Sequence, residues 1–379
     1  MDYSFQKFVL YFLKLGTLGF GGPVALAAHM QNDLVLERKW ITQDDYTEGL
    51  SLAQLAPGPL AAQLAIYLGW VKGNTLGATL VGIAFILPSF LIVVSLSEIY
   101  LRYNGLPLMQ AIFYGVGAAV IAIISQSAWK LAKKTLSKDR LLWIIALVLA
   151  VTTAVTETEI VWMFLLAGVF YSALKTPIKT DGKLAAFFPA WLTVGLNGPA
   201  ANSTLLKILL YFVKAGAMVF GSGLAIVPFL HHGVVDQYHW LTEKQFIDAV
   251  AVAMITPGPV VITVAFIGYL TAGFMGASTA SVGVFLPCYL FVVIPAPYYS
   301  KIVKFQRIKL FVNGVTAAAV GAITGSVFVL GKRAIHDKTT ALVAIVTLFC
   351  LLKVKKIPEP VIVLLAGLAG IIFYGRTFT

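Results

Sequence analysis

Leu55-Ala56-Pro57-Gly58-Pro59 returns in the same chain as Ile255-Thr256-Pro257-Gly258-Pro259. A Pro-Gly-Pro inside an apolar run breaks or sharply kinks a helix. Proline removes a backbone donor and clashes with the preceding turn, and glycine opens conformations closed to other residues. The repetition extends outward from this break. Tyr11, Phe12, Lys14, Gly16, Phe20, Gly21, Trp40 and Thr42 recur as Tyr211, Phe212, Lys214, Gly216, Phe220, Gly221, Trp240 and Thr242. One residue is then lost. Leu87-Pro88, Gly115-Val116 and Leu165-Leu166-Ala167-Gly168 recur as Leu286-Pro287, Gly314-Val315 and Leu364-Leu365-Ala366-Gly367. The unit is about 170 residues, far longer than a solenoid repeat. In an apolar chain, Gly/Pro-broken segments at matching places of two halves point to a secondary transporter.

Composition supports a lipid setting. Hydrophobic residues are 59% of the chain and charged residues 12%, whereas soluble domains carry about a quarter charged residues. The fold class expected is an all-α polytopic, multi-pass membrane protein. The net charge of +12 would point a soluble chain to nucleic acid. Here the basic residues sit mostly in short loops between apolar stretches, where they set topology, so no nucleic-acid partner is expected. Attraction of an anionic substrate is a secondary effect. Met1 to Lys7 lacks a basic n-region, so no cleavable signal peptide is expected. Cys288 and Cys350 lie far apart in apolar stretches, which argues against a disulfide framework or a metal site. No cofactor is expected.

Apolar stretches of spanning length (about 17–25 residues) run near 5–30, 46–70, 75–97, 107–129, 141–156 and 159–174. Their counterparts run near 205–230, 246–270, 276–297, 309–330, 340–352 and 360–374. The division is a first repeat over 1–183, a linker over 184–204 that could hold an extra span, and a second repeat over 205–379. Loop charge decides the relative orientation. In the first half Lys130, Lys133, Lys134, Lys138 and Arg140 make one basic loop and Lys175, Lys179 and Lys183 another, with acidic Glu157 and Glu159 between them. In the second half the place of that acidic turn holds Lys353, Lys355 and Lys356, and the place of the nearly neutral Glu98–Arg102 loop holds Lys301, Lys304, Arg307 and Lys309. The basic bias has moved to the alternate loops, so the second half is expected to be inverted, antiparallel to the first. Lys332, Arg333 and Lys338 depart from this pattern. Inversion needs an odd number of crossings between equivalent points. Six per half plus a linker span gives thirteen; five per half with one dipping segment gives ten.

The broken segments carry the expected site. Phe20-Gly21-Gly22-Pro23 pairs with Phe220-Gly221-Ser222-Gly223, and Pro57-Gly58 with Thr256-Pro257-Gly258. Broken backbone cannot face lipid and must be buried in protein or line a wet cavity. Half-helix N-termini at such breaks present free N–H groups and positive dipole ends, suited to an anion near the midplane. A simple packing kink is the competing reading. Ionisable residues in apolar stretches point to function. Lys14 and Lys214 are equivalent and read as substrate-facing cations or as lysines snorkelling to the interface. Glu48 and Asp248 are equivalent and read as lysine partners, coupling carboxylates or interfacial groups. Gln54 and Gln63 flank the first Pro-Gly-Pro, where Met254 and Thr263 hold the matching places, so the first half is expected to supply more direct ligands. His29, His231, His232 and His239 lack metal-ligand spacing and read as surface residues. Thr42 and Thr242 read as helix N-caps, with Asp45 or Gln245 at the capping-box position. Trp40 and Trp240 suit an interface.

Phe20-Gly21-Gly22-Pro23, Trp40, Leu55-Ala56-Pro57-Gly58-Pro59 and Gln63-Leu64-Ala65-Ile66-Tyr67-Leu68-Gly69-Trp70 together resemble the chromate ion transporter (CHR) family. So do Phe220-Gly221-Ser222-Gly223, Trp240-Leu241-Thr242 and Thr256-Pro257-Gly258-Pro259. The match spans both halves, as in the long two-domain type. Ser222-Gly223 stands where Gly-Gly or Gly-Ala is commoner. The resemblance implies an inner-membrane exporter of chromate that confers chromate resistance, with some relatives handling sulfate. The partners then expected are chromate or a related oxyanion and the lipid bilayer, with a homodimer as the assembly to test.

Outward movement of a dianion from a negative interior gains roughly 4.6 kcal/mol per 100 mV, over a thousandfold in concentration. There is no Gly-x-x-x-x-Gly-Lys-Ser/Thr phosphate loop, which disfavours an ATP-driven pump. Proton exchange through Glu48 or Asp248 could add to the drive. A sulfate or other anion transporter on the same scaffold is the alternative. A membrane-embedded enzyme is disfavoured, because the apolar stretches hold no His-Glu-x-x-His, clustered Asp pair or Ser/Lys dyad. A channel is the third class, separable by single-channel currents.

Overall fold

A computed structural model describes residues 4–19, 22–103, 107–136, 139–156, 161–175, 204–219, 226–298, 306–335, 337–353 and 359–377. All of their regular structure is helical. The helices of the first half are α1 (Phe5–Leu18), α2 (Gly22–Met30), α3 (Gln43–Leu55), α4 (Leu60–Tyr103), α5 (Pro107–Leu136), α6 (Arg140–Thr156) and α7 (Val161–Lys175). Those of the second are α8 (Thr204–Ala217), α9 (Ile226–His231), α10 (Glu243–Ile255), α11 (Thr263–Val293), α12 (Gln306–Ala334), α13 (Lys338–Lys353) and α14 (Glu359–Thr377).

The glycine and proline positions dictate where helices stop. α1 has 14 residues, about 21 Å at 1.5 Å per residue, too short for a hydrocarbon core of about 30 Å. It starts on Ser4, whose side chain accepts from the Gln6 amide, and it ends at Gly19. The chain then turns back. α2 widens into a π-helical turn over Gln31–Glu37, and Trp40 and Arg38 return to the start of α1, against Phe8 and Tyr11. The second broken segment does the same. The Tyr67 hydroxyl donates to Glu48 at 3.1 Å, so α3 and the first leg of α4 run antiparallel about Pro57-Gly58-Pro59. Both broken segments of the first half are therefore re-entrant hairpins.

α4 folds back once more. Gly73 and Asn74 leave helical geometry, with Asn74 at φ 48°, and the two legs approach so closely that a Cβ on Gly69 would strike the Gly77 carbonyl. In the second half Ala272 and Gly273 make the same turn, with Gly268 and Gly276 in the same contact. The register here already differs by one from that at the Pro-Gly-Pro. The lost residue therefore falls in the first turn after Pro259, which tightens to a 3₁₀ turn over Val260–Ile262. The long second legs hold Pro88 and Pro287 inside the helix.

Helix pairs are exchanged between the halves. α12 of the second half packs along α6 and α7 of the first, while α5 of the first packs between α13 and α14 of the second. Small residues make this possible. A Cβ on Gly115 would strike the Ala366 carbonyl, and one on Gly321 the Ala146 carbonyl. The exchange also reveals orientation. Ser172 near the end of α7 donates to the Arg307 carbonyl at the start of α12, and Lys175 pairs with Asp139 between α5 and α6. Thr79, early in the second leg of α4, meets Tyr289, late in that of α11. Equivalent elements therefore run in opposite directions, as loop charge predicts. Lys72, Lys130, Arg140, Lys175, Arg307 and Lys353 share one face; Arg102, Lys332 and Lys338 lie at the other, so the charge exception stays an exception.

Among the described residues, four helical stretches are long and apolar enough to cross a membrane, Leu60–Tyr103, Gln110–Lys133, Val260–Tyr298 and Gln306–Lys332, with shorter apolar helices at Arg140–Thr156, Trp162–Lys175 and Pro360–Tyr374. The expectation of ten to thirteen spans allowed at most one dipping segment per half. Both broken segments of each half dip, because each helix stops where the backbone can no longer continue it. The expected linker span falls within residues 176–203, outside the described residues.

Candidate functional site

The breaks of the two halves meet at one place. The Gly58 amide donates to the Val219 carbonyl at 2.6 Å, and the Gly258 amide donates to the Gly19 carbonyl at 2.9 Å. Each Pro-Gly-Pro is thus bonded to the first break of the other half. Backbone polar groups freed by a broken helix must be satisfied inside the protein when lipid surrounds it, and here the opposite repeat supplies the partner. Gly58 has φ 143° and Gly258 φ 95°, a region that favours glycine. Their surroundings are equivalent too. A Cβ on Gly258 would strike Ser89, and one on Gly58 would press on Gln63 and Cys288. Ser89 and Cys288 are repeat counterparts, each following the in-helix proline, and Ser89 donates to the Gly16 carbonyl at 3.3 Å.

The junction is not symmetric in its polarity. Gln63 is fully buried. Its Nε2 donates to the Pro57 carbonyl at 2.8 Å, and its Oε1 has no partner among the described residues. Among the described residues the α4 first-turn amides of Leu60, Ala61 and Ala62 have no backbone acceptor, whereas in the second half the Ile262 and Thr263 amides are used by the 3₁₀ turn. Thr256 bonds back to the Val252 carbonyl and Thr263 to that of Val260.

Other expected site residues lie apart from this junction. Lys14 and Lys214 are exposed on the outer side of α1 and α8, and Gln54 is exposed near the end of α3. Glu48 is half-buried beside Tyr67. Asp248 is buried and accepts from the Tyr100 hydroxyl at 2.7 Å. Neither carboxylate is paired with Lys14 or Lys214 among the described ion pairs. Gly21, Gly221 and Ser222 lie outside the described residues; Gly22 opens α2. A cavity of about 360 Å³ reaches Glu48 and Asp45 and is walled by Tyr67, Trp70, Asn74 and Pro297.

The helix caps read from sequence are as expected. Thr42 accepts from the Asp45 amide, and Thr242 with Gln245 forms a complete capping box. Trp40 stacks under Arg38 and Trp240 packs on Tyr238 and Phe212, so both tryptophans close the re-entrant hairpins. One expectation is corrected. His231 is buried rather than superficial, because it sits between Glu243 at 2.8 Å and Asp236 at 3.5 Å and packs edge-on against Phe246. Sequence reasoning missed Ser89 and Cys288. Their signal was available, since Leu87-Pro88 and Leu286-Pro287 are themselves repeated.

Duplicated, oppositely oriented halves whose broken helices meet at a shared junction define the class as a polytopic membrane transporter scaffold. The chain belongs to the Chromate transporter family, whose pattern it matches over residues 6–172 and 206–371. It is 59% identical over 376 residues to the chromate transport protein of Cupriavidus metallidurans, covering 98% of this chain and 94% of that one. It is 54% identical to a probable chromate transport protein of Synechococcus elongatus, covering 99% and 97%, and 32% identical to the chromate transport protein of Pseudomonas aeruginosa, covering 97% and 92%. No solved structure matches. The family is one of transporters, not enzymes.

Proposed function

We propose that this protein exports chromate across the inner membrane as a secondary transporter, with the dianion binding at the junction of the four breaks. The observation that carries the reading is the pair of cross-repeat bonds, Gly58 to Val219 and Gly258 to Gly19. They bring the half-helix ends of both repeats to one point, where the first-turn amides of α4 have no backbone acceptor among the described residues. Gly21, Gly22, Pro57, Gly58, Gln63, Gly221, Ser222, Thr256 and Gly258 make the substrate site. Lys14, Lys214 and Gln54 serve the approach of the anion rather than its final coordination, since they lie exposed. Glu48 and Asp248 are the coupling carboxylates. The repeats divide as 1–183 and 205–379, and the assembly to test is a homodimer. The relatives named for chromate support chromate over sulfate.

The test is uptake of radiolabelled chromate into inverted vesicles, with sulfate as competitor and a dissipated membrane potential as control. Saturable, potential-dependent chromate uptake is expected. Carriage of sulfate with no chromate entry or competition would sink the chromate reading.

A further inference from the structure

Gln63 carries an acceptor that its own surroundings leave open. Its side chain folds back over the break that opens α4. A Cβ on Gly58 would come within 2.6 Å of its Nε2 and 2.8 Å of its Cδ, so the whole amide group lies against the Pro-Gly-Pro. The bond it makes tells its two ends apart. The Pro57 carbonyl only accepts, so the end 2.8 Å from it is the NH2 group. The other end is the oxygen. That oxygen is buried and has no partner among the described residues. The Cys288 thiol lies against the same glycine and does not bond to it. A buried amide oxygen without a donor is costly.

The groups beside it are of the opposite kind. The amides of Leu60, Ala61 and Ala62 have no backbone acceptor among the described residues, and amides at a helix N-terminus suit anion oxygens. The second half keeps neither feature. Thr263, at the place of Gln63, donates to the Val260 carbonyl at 2.8 Å, and the 3₁₀ turn uses the Ile262 and Thr263 amides. The junction therefore offers a run of donors and one acceptor. A bare tetrahedral dianion presents lone pairs at every corner. It suits the amides but sets lone pair against lone pair at Gln63. An oxyanion with one hydroxyl suits both, because its bare oxygens accept from the amides and its hydroxyl donates to Oε1. Protonation also removes one charge from a buried place, where an uncompensated charge is expensive.

We propose that the junction recognises a hydrogen oxyanion: chromate binds there together with one proton from solvent, and the resulting hydroxyl donates to Gln63 Oε1. The inference rests on the anion site proposed above and specifies the form in which the dianion is held. Chromate takes up its first proton near neutral pH, whereas sulfate and selenate do so only in strong acid. Shape does not separate these tetrahedral anions, but a hydroxyl does. A site built around a buried acceptor rejects an analogue that lacks the matching donor by orders of magnitude. The cargo keeps a net negative charge, so the membrane potential still drives its exit.

Arsenate and selenate are tetrahedral oxyanions close to chromate in size. At neutral pH arsenate carries a hydroxyl and selenate carries none. The experiment is equilibrium dialysis of the full chain in detergent against radiolabelled arsenate or selenate. One pH and one ionic strength keep the charges of Lys14, Glu48, Lys214 and Asp248 the same in both arms. Arsenate is expected to bind tighter than selenate by at least about tenfold. Gln63→Met keeps the length of the side chain and removes the acceptor, and it is expected to abolish the preference. Selenate bound as tightly as arsenate, neither anion bound, or a preference that survives Gln63→Met overturns the proposal. The wild-type ratio decides by itself if that variant does not fold. No readout needs chromate uptake. A protein that prefers arsenate through Gln63 and carries no chromate would defeat the chromate reading and leave this one standing.

Discussion

The amide of Gly58 donates to the carbonyl of Val219 at 2.6 Å, joining the second break of one repeat to the first break of the other. The mirrored bond, Gly258 to Gly19, repeats the arrangement. A broken helix is costly in lipid because its freed backbone groups have no water to bond. Two inverted copies solve this together. Each break is bonded to the other, and the first-turn amides of α4, without a backbone acceptor among the described residues, lie at the same place.

The glycine at each junction is expected to be irreplaceable. Gly258→Ala puts a side chain at φ 95° and into Ser89. Backbone strain of this kind costs about 1–3 kcal/mol. A lower melting temperature in detergent and lost chromate uptake are expected. Adding Ser89→Ala should restore part of the melting temperature of Gly258→Ala and none of that of Gly58→Ala, because only Gly258 faces Ser89. Equal rescue of both would contradict the contact.

Gln63 is expected to act as brace and ligand at once. Gln63→Leu leaves the buried Pro57 carbonyl unpaired, at about 1–3 kcal/mol. Gln63→Glu places an ionised acceptor beside that carbonyl and a negative charge where the anion is proposed to bind. Chromate uptake is expected to fall in both, and at least tenfold further in the Glu variant, at matched protein levels. Equal uptake by the Leu and Glu variants would remove Gln63 from the anion site.

Lys14→Ala and Lys214→Ala are each expected to lower chromate resistance while the protein still reaches the membrane, and Lys→Arg at either position to retain it. Resistance unchanged in both Ala variants would take the lysines out of the mechanism. Because both side chains are exposed, the expected deficit lies in uptake at low chromate concentration and shrinks at saturation.

The exchanged helices make the halves mutually dependent. α12 leans on α6 and α7, and α5 on α13 and α14, so neither half buries its apolar small-residue faces alone. Residues 1–183 and 205–379 expressed separately are expected to be degraded, and their co-expression to restore chromate uptake. Stable, folded single halves would contradict the exchange.

The Asp139–Lys175 pair, at 2.8 Å, gives a pH test outside the spanning segments. The Lys175 ammonium, with Tyr171 and the Leu141 amide, holds the Asp139 carboxyl down at about 2, below the free value of about 3.9. A depressed carboxyl stabilises the fold above its unfolded value and loses that contribution as pH falls through the folded one. Lys175→Met is therefore expected to lower the melting temperature at pH 7, by the equivalent of under about 1 kcal/mol for a partly exposed pair. The deficit should narrow between about pH 4 and 2. A deficit that widens on acidification would refute the sign.

The duplication, the breaks, the helix caps and the inversion were legible in sequence because each depends on local chemistry or on net loop charge. Thr42, Thr242, Pro57 and Pro257 act on their own turn. Loop lysines such as Lys130 and Lys353 report their side by number alone. Burial of His231 was not legible, since its partners Asp236 and Glu243 are ordinary surface residue types that fold over it.

By itself, then, the sequence determined that two inverted, Gly/Pro-broken halves share one membrane scaffold of the chromate transporter family. Only the tertiary structure decided that both broken segments of each half turn back, that the repeats exchange helices, and that Tyr100 and Asp248 meet across them. The reason is physical. Where a helix stops is a property of its own backbone, but which partner satisfies the stopped end depends on residues hundreds of positions away, brought close only when the two halves pack.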